Sequence, residues 1–300
     1  MADNNTYVSA YIMGGLGNQL FQVFATIALS FRQSNLKFVF PYYELSPGMT
    51  KRVTYWNTLL SKLFPFTTEK SSLSIQDINN FFVLREKFHY YCKFPDINNN
   101  TLLFGYFQSY KYFHDFLPEI LDLIDYHNTR TNILNEYHNY FDFIDIPSIS
   151  IISVHFRFGD YVGLDGVFEL LNSDYYIRAI KHIIYKDLTS NVRILYFFES
   201  QDSIHVSPII DKIKEYTNTN DDFSFQHVNV SHNIDDWKQL VLMSCCDHNI
   251  IANSSFSWWG AYLNPSNNKQ VCCPKKWFGK KQENKQSELQ DKFPPNWTII

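Results

Sequence analysis

Along the second half of the chain, short apolar runs alternate with segments whose apolar residues recur every three or four positions. Residues 149–156 (ISIISVHF) form a β-branched run that predicts a buried strand. The segment DYYIRAIKHIIYKD that follows has helical spacing, with Asp174 as its N-cap. The same alternation continues through a strand at 192–198, a helix from Ile209, a strand from Phe223 and a helix from Asp235. A strand around Ile250, a short helix at 257–263 and a last strand from Lys269 complete it. Strand and helix repeated about four times predict a parallel sheet covered by helices.

The first half is less regular. Its pattern predicts strands at 7–13, 36–40 and 101–107, and helices at 18–33 and 109–126. The aromatic stretch at 41–100 shows no clear period. Proline interrupts the pattern in IDIPS, which places a boundary near residues 145–148 and predicts one α/β domain at 1–147, with the glycine loop, and a second at 148–300. Two α/β halves imply a cleft, with ligands at the carboxyl ends of the strands.

Composition narrows the class. The chain has 300 residues, 45% of them apolar, and a net charge of -4, which does not favour a nucleic-acid partner. The N-terminus lacks a basic region followed by an apolar stretch, and no window reads as a membrane span. The expected location is therefore cytoplasmic. The five cysteines, four of them in adjacent pairs at 245–246 and 272–273, lack metal-site spacing. They are expected as small buried side chains in a reducing compartment.

Three stretches carry chemistry. MGGLGNQLF at 13–21 opens like a dinucleotide-binding unit, but Leu20 stands where the third glycine belongs, and no acidic residue ends the second strand. What remains is a tight turn, with Gly15 and Gly17, that lifts Asn18 onto the first turn of a helix. SVHFRFGDY at 153–161 ends a buried strand in His155, Arg157 and Asp160. Alternation would put His155 and Arg157 on one face, and an arginine there suits bidentate capture of a phosphate. HNIIANSSFSWWG at 248–260 runs from a strand into Asn253, Ser254, Ser255 and Phe256 at a helix start, an anion-binding arrangement in which Ser255 would also cap the helix. Asn253 also begins a glycosylation sequon. With no DxD triplet and no P-loop, these residues predict a diphosphate cradle that uses no metal and no separate cofactor.

The chain resembles the glycosyltransferase family 11 enzymes, the α-1,2-fucosyltransferases. The resemblance runs through GGLGNQLFQ (14–22), GYFQS (105–109), HFRFGDY (155–161), LMSCCDHNIIANSSFSWWGAYLN (242–264) and the late P..WF (274–278). It implies a GT-B-like fold of two Rossmann-like domains facing a cleft, the first (1–147) on the acceptor side and the second (148–300) binding the donor. It also implies metal-independent, inverting transfer of fucose from GDP-β-L-fucose to a galactose hydroxyl. Arg157, His155, Asn253, Ser254, Ser255 and Phe256 would then bind the donor, with Asn18 near the reaction centre. His155 and Asp160 are alternative general bases, and a donor phosphate oxygen is a third. Two departures stand out: Phe158 replaces the second arginine of the HxRRxD pattern, and FFESQD at 197–202 leaves the roles of Ser200 and Asp202 open. Two rival readings remain, a Rossmann-type oxidoreductase and a catalytically inactive carbohydrate-binding relative.

Overall fold

The alternation of apolar runs and helical segments resolves into two parallel sheets. The computed structural model describes residues 5–47, 51–141, 149–164, 166–187, 191–217, 223–228 and 234–300. They group into two units, one of residues 1–129 with 288–294 and the other of 130–287 with 295–300. The expected boundary at 145–148 lies outside the described residues. Residues 288–294, which the sequence pattern counts with the second domain, belong to the first unit.

The first unit contains β1 (Thr6–Ala10), α1 (Leu16–Arg32), β2 (Leu36–Phe38), α2 (Ile75–Asn79), β3 (Phe82–Arg85), β4 (Thr101–Phe104) and α3 (Leu117–Leu123). Its strands are all parallel, in the order β2-β1-β4-β3, with Val8 opposite both Phe38 and Thr101. Helix α1 is buried on nearly every side, from Leu16 to Ser30, and its buried polar side chains Gln19, Gln22, Thr26 and Ser30 are each hydrogen-bonded to backbone. Phe21 and Phe24 pack their rings 5.9 and 5.6 Å from that of Phe113. Helix α2 starts with a capping box in which Ser74 and Asp77 satisfy each other's backbone N–H.

Helix α4 (Tyr126–Phe141) spans the passage between units at residues 129/130. The second unit continues with β5 (Ile149–His155), α5 (Gly159–Gly163), α6 (Ser173–Asp187), β6 (Asn191–Phe197), α7 (Ser203–Thr217) and β7 (Phe223–His227). It ends with α8 (Asp236–Met243), β8 (His248–Ile250), α9 (Ser255–Tyr262), β9 (Val271–Cys273) and β10 (Thr298–Ile299). All six strands run parallel in the order β10-β9-β8-β5-β6-β7. The central strand β5 buries Ile152 and Val154 against Tyr176, Ile180 and Ile183 of α6 and Ile210 of α7. Asn249 of β8, fully enclosed, donates to Ser153 Oγ and Met243 O and accepts from Asn264, so a buried amide finds its partners on three elements.

Several expectations change. The helix expected at 109–126 is two short 3-10 turns followed by α3. Strand β3, helix α4 and strand β10 emerge where the pattern shows none. Helix α6 begins at Ser173, and the side chain that caps it is Asn172, accepting from Tyr175 N at 3.3 Å, with Asp174 inside the first turn. Cys246, Cys272 and Cys273 are buried thiols as expected, whereas Cys92 is exposed.

The contact between α8 and α9 tests the packing. A methyl group on Gly260 of α9 would lie 2.7 Å from Met243 Cβ of α8, inside van der Waals contact. Gly260→Ala is expected to cost about 1–3 kcal/mol in urea unfolding, the usual range for overpacking.

Candidate functional site

In an open parallel sheet, a crevice forms where two neighbouring strands send their connections to opposite sides, and ligands collect at the carboxyl ends there. The strand order of the second unit puts this point between β5 and β8. Both polar motifs of this half leave from those two strand ends.

Strand β5 ends at His155, so alternation does not extend to Arg157. The imidazole of His155 is only 8% exposed. Burial, and secondarily the charge of Arg157, press its pKa down to about 3, so the ring is neutral. Its Nδ1 is buried and has no hydrogen-bond partner. Beyond it the chain turns at Gly159, whose φ of +40° favours glycine. That turn is clamped from the end of β6: Asp202 accepts from Gly159 N at 2.8 Å and from Phe158 N at 3.3 Å. Asp202 is thereby a buried structural anchor, while Ser200 is exposed.

The clamped turn presents Arg157. Its Nη2 donates to Asp160 at 2.5 Å and its Nη1 to Glu199. Its guanidinium also lies 5.2 Å from the Tyr161 ring centre. Burial alone would disfavour its charge, but Glu199 and then Asp160 outweigh burial and hold the guanidinium protonated. Glu199 is the partner that sequence reasoning missed, since it lies 42 residues away. Phe158, at the position of the second family arginine, is 7% exposed, joins the apolar core and stacks on His205. A charge there would be buried, so this turn presents one arginine, Arg157.

The β8 side meets the β5 side directly. Tyr161 Oη donates to Asn253 O at 3.1 Å, and the ring of Phe256 lies 5.5 Å from that of His155. Asn253 is fully buried and donates to Glu169 O and Trp277 O, both at 2.8 Å, while its Oδ1 has no hydrogen-bond partner. Its sequon is therefore closed to a glycan in the folded chain. The helix cap is Ser254, accepting from Phe256 N at 3.3 Å, and Ser255 occupies the first helical position instead. Ser255 and Phe256 are half-buried on the first turn of α9.

In the first unit the glycine turn follows the central strand β1, which lies beside β4 in the order β2-β1-β4-β3. Gly14, with φ of +78°, is the glycine the turn requires, because a Cβ there would sit 2.4 Å from Asn18 Nδ2. Gly15 has open space and Gly17 is buried in the first turn of α1. Helix α1 staples the turn with two glutamines. Gln19 Nε2 donates to Gly14 O at 2.8 Å, and Gln22 exchanges hydrogen bonds with Met13 N and O at 3.0 and 3.2 Å. Asn18 Oδ1 accepts from Gln108 Nε2 at 2.7 Å. Gln108 was visible in the sequence only as part of GYFQS.

Among the described residues no three His, Cys, Asp or Glu side chains are grouped to hold a metal ion. No described helix is long and apolar enough to cross a membrane.

Comparison with known proteins agrees with these motifs. An Escherichia coli α-1,2-colitosyltransferase is 30% identical over 98% of this chain and 98% of its own. The O-antigen biosynthesis glycosyltransferase WbnK of Escherichia coli is 26% identical over 91% of this chain and 96% of its own. Among solved structures, POFUT1 in complex with GDP-fucose aligns with a TM-score of 0.49 and 12% identity, over 91% of this chain and 98% of that one. The family description "Glycosyl transferase family 11" matches residues 7–300, and with nearly the whole length so covered, the chain belongs to that family.

Proposed function

We propose that this glycosyltransferase moves L-fucose from GDP-β-L-fucose to a galactose hydroxyl in α-1,2 linkage, with inversion and without a metal. The observation that carries the reading is the meeting of Arg157 with the 253–256 turn at the switch point of the second sheet. There one protonated guanidinium, a helix start and two orphaned buried polar atoms, His155 Nδ1 and Asn253 Oδ1, face a common ligand class. A diphosphate with a nucleoside attached supplies both the negative charge and the donors and acceptors these groups lack. The α-1,2 linkage is supported by the name of the colitosyltransferase relative. That name also identifies the sugar as the variable, because colitose is fucose without its 3-hydroxyl.

Inversion requires the acceptor hydroxyl to attack opposite the departing GDP, through an oxocarbenium-like state. Negative charge then grows on the leaving phosphate. Arg157 and the first turn of α9 bind that charge more strongly than they bind the intact donor, which is what lowers the barrier. Glu199 and Asp160 keep the guanidinium charged and aimed before the donor arrives. His155, neutral and buried, is a poor proton acceptor and is assigned to hydrogen bonding of the donor. Proton removal is left to Asp160 or to a phosphate oxygen of the donor itself.

Incubation with GDP-fucose and lactose in the presence of EDTA tests the reading. It should release GDP and form a 2′-fucosylated product, and hydrolysis alone would refute it. A colitosyl donor run in parallel identifies the sugar. Arg157→Ala should lower kcat/KM for the donor by roughly 100-fold or more, on the order of 3 kcal/mol, as loss of an oxyanion donor does. Near-normal turnover would remove Arg157 from the cradle.

His155 yields a second expectation. Its folded-state pKa of about 3 lies below the ordinary value of 6.5, so the unfolded chain binds the extra proton. The stability it contributes is complete above pH 6.5 and is lost as pH falls toward 3. At pH 5 the loss is about 2 kcal/mol by linkage. Urea unfolding of His155→Gln should therefore weaken less than wild type between pH 7 and pH 5.

A further inference from the structure

A chain of hydrogen-bonded polar groups, anchored on a buried lysine, stands behind the glycine turn, and no step of the transfer yet uses it. It gathers at the carboxyl ends of β1, β4 and β3 with one residue from the returning segment 288–294. Lys292 is 2% exposed and donates from Nζ to Gln108 Oε1 at 2.6 Å. Gln108 Nε2 donates in turn to Asn18 Oδ1 at 2.7 Å. Glu86, next to this chain, is held by Tyr106 N at 2.7 Å and Phe107 N at 2.9 Å. The loop is shaped for that carboxylate: Phe107 has a φ of +51°, and a Cβ on Gly105 would fall 2.3 Å from Glu86 Cβ.

The order of donors and acceptors follows from chemistry. An ammonium has three hydrogens to give and no acceptor, so the Gln108 atom facing Lys292 must be its oxygen. The Gln108 nitrogen then faces Asn18, and the Asn18 atom facing it must be oxygen as well. We propose that Lys292 is a positioning residue that, through Gln108, fixes the Asn18 carboxamide with its oxygen turned to Gln108 and its NH₂ as the donating end at the glycine turn. Asn18 therefore meets the reacting sugar or its leaving oxygen by donating a hydrogen bond, never as a proton acceptor. This rests on the transferase reading given above. Burial brings Lys292 down to about 7, with Glu86 pulling it back up, so below that pH the ammonium form predominates.

The test is a set of variants assayed at pH 6.5: Lys292→Met, the isosteric Gln108→Glu, and Asn18→Asp, with the double variants. Each single variant should lose 30-fold or more in kcat, with KM for the donor changed less than threefold. Lys292→Met and Gln108→Glu should add little to the loss in Asn18→Asp, because both act through Asn18. Wild-type kcat in either, or losses that multiply onto that of Asn18→Asp, would overturn the proposal. Should Lys292→Met fail to fold, Gln108→Glu decides alone, since it keeps an acceptor for Lys292. Should the wild-type chain transfer no sugar at all, the transferase reading fails, and side-chain amide exchange decides the positioning separately. The Gln108 carboxamide protons, slow to exchange in wild type, should exchange at least 10-fold faster in Lys292→Met, and unchanged exchange would overturn the proposal.

Discussion

The candidate donor site depends on one interaction, the capture of two backbone N–H groups by the carboxylate of Asp202. Strands β5 and β6 pair over seven residues in parallel, so their carboxyl ends finish level. A residue just past β6 can therefore reach the turn just past β5. Buried backbone N–H groups in a sharp turn are costly when unpaired, and Asp202 satisfies two of them at once. With the turn fixed, Arg157 has one direction in which to project. Its two carboxylate partners then hold it there.

Both units concentrate polar residues at the carboxyl ends of central strands, with different chemistry. In the second unit these residues are a cation and a helix start, suited to a diphosphate. In the first the groups at the glycine turn itself are carboxamides, which bear no net charge and whose character is set by hydrogen-bond direction alone. Carboxamides can point either way, so their direction must be imposed by a neighbour without that freedom. Lys292 is such a neighbour.

Much of this was legible in the sequence. The buried strands β1 and β5 and the helices α1 and α6 have the periods that parallel sheets impose, and the motifs at 14–22, 155–161 and 253–256 stand at strand ends as their composition suggests. Strand β3 was not legible because FVLR is only four residues long and lies inside an aromatic stretch with no clear period. Helix α4 has too few apolar residues for a clear stripe, and β10 is two residues long. Caps shifted by one or two positions, from Asp174 to Asn172 and from Ser255 to Ser254, because several polar residues in a row are each competent to cap. The partners of Arg157 and Asn18 were illegible for a different reason. Glu199 is 42 residues from Arg157, and Lys292 is 184 from Gln108. No local pattern encodes pairs that only the folded topology brings together.

Residues 288–294 belong to the first unit although residues 130–287 of the second are made before them. Folding during synthesis usually lets an N-terminal unit finish before the rest emerges. Here it cannot, because Lys292, Asp291 and Glu288 supply buried or paired groups to residues near 89, 91, 108 and 111. Until that segment has emerged from the ribosome, the first unit has a gap where it will lie. The order of translation thus ties completion of the first unit to a stretch made after most of the second, and a chain that stops before residue 288 has neither unit whole.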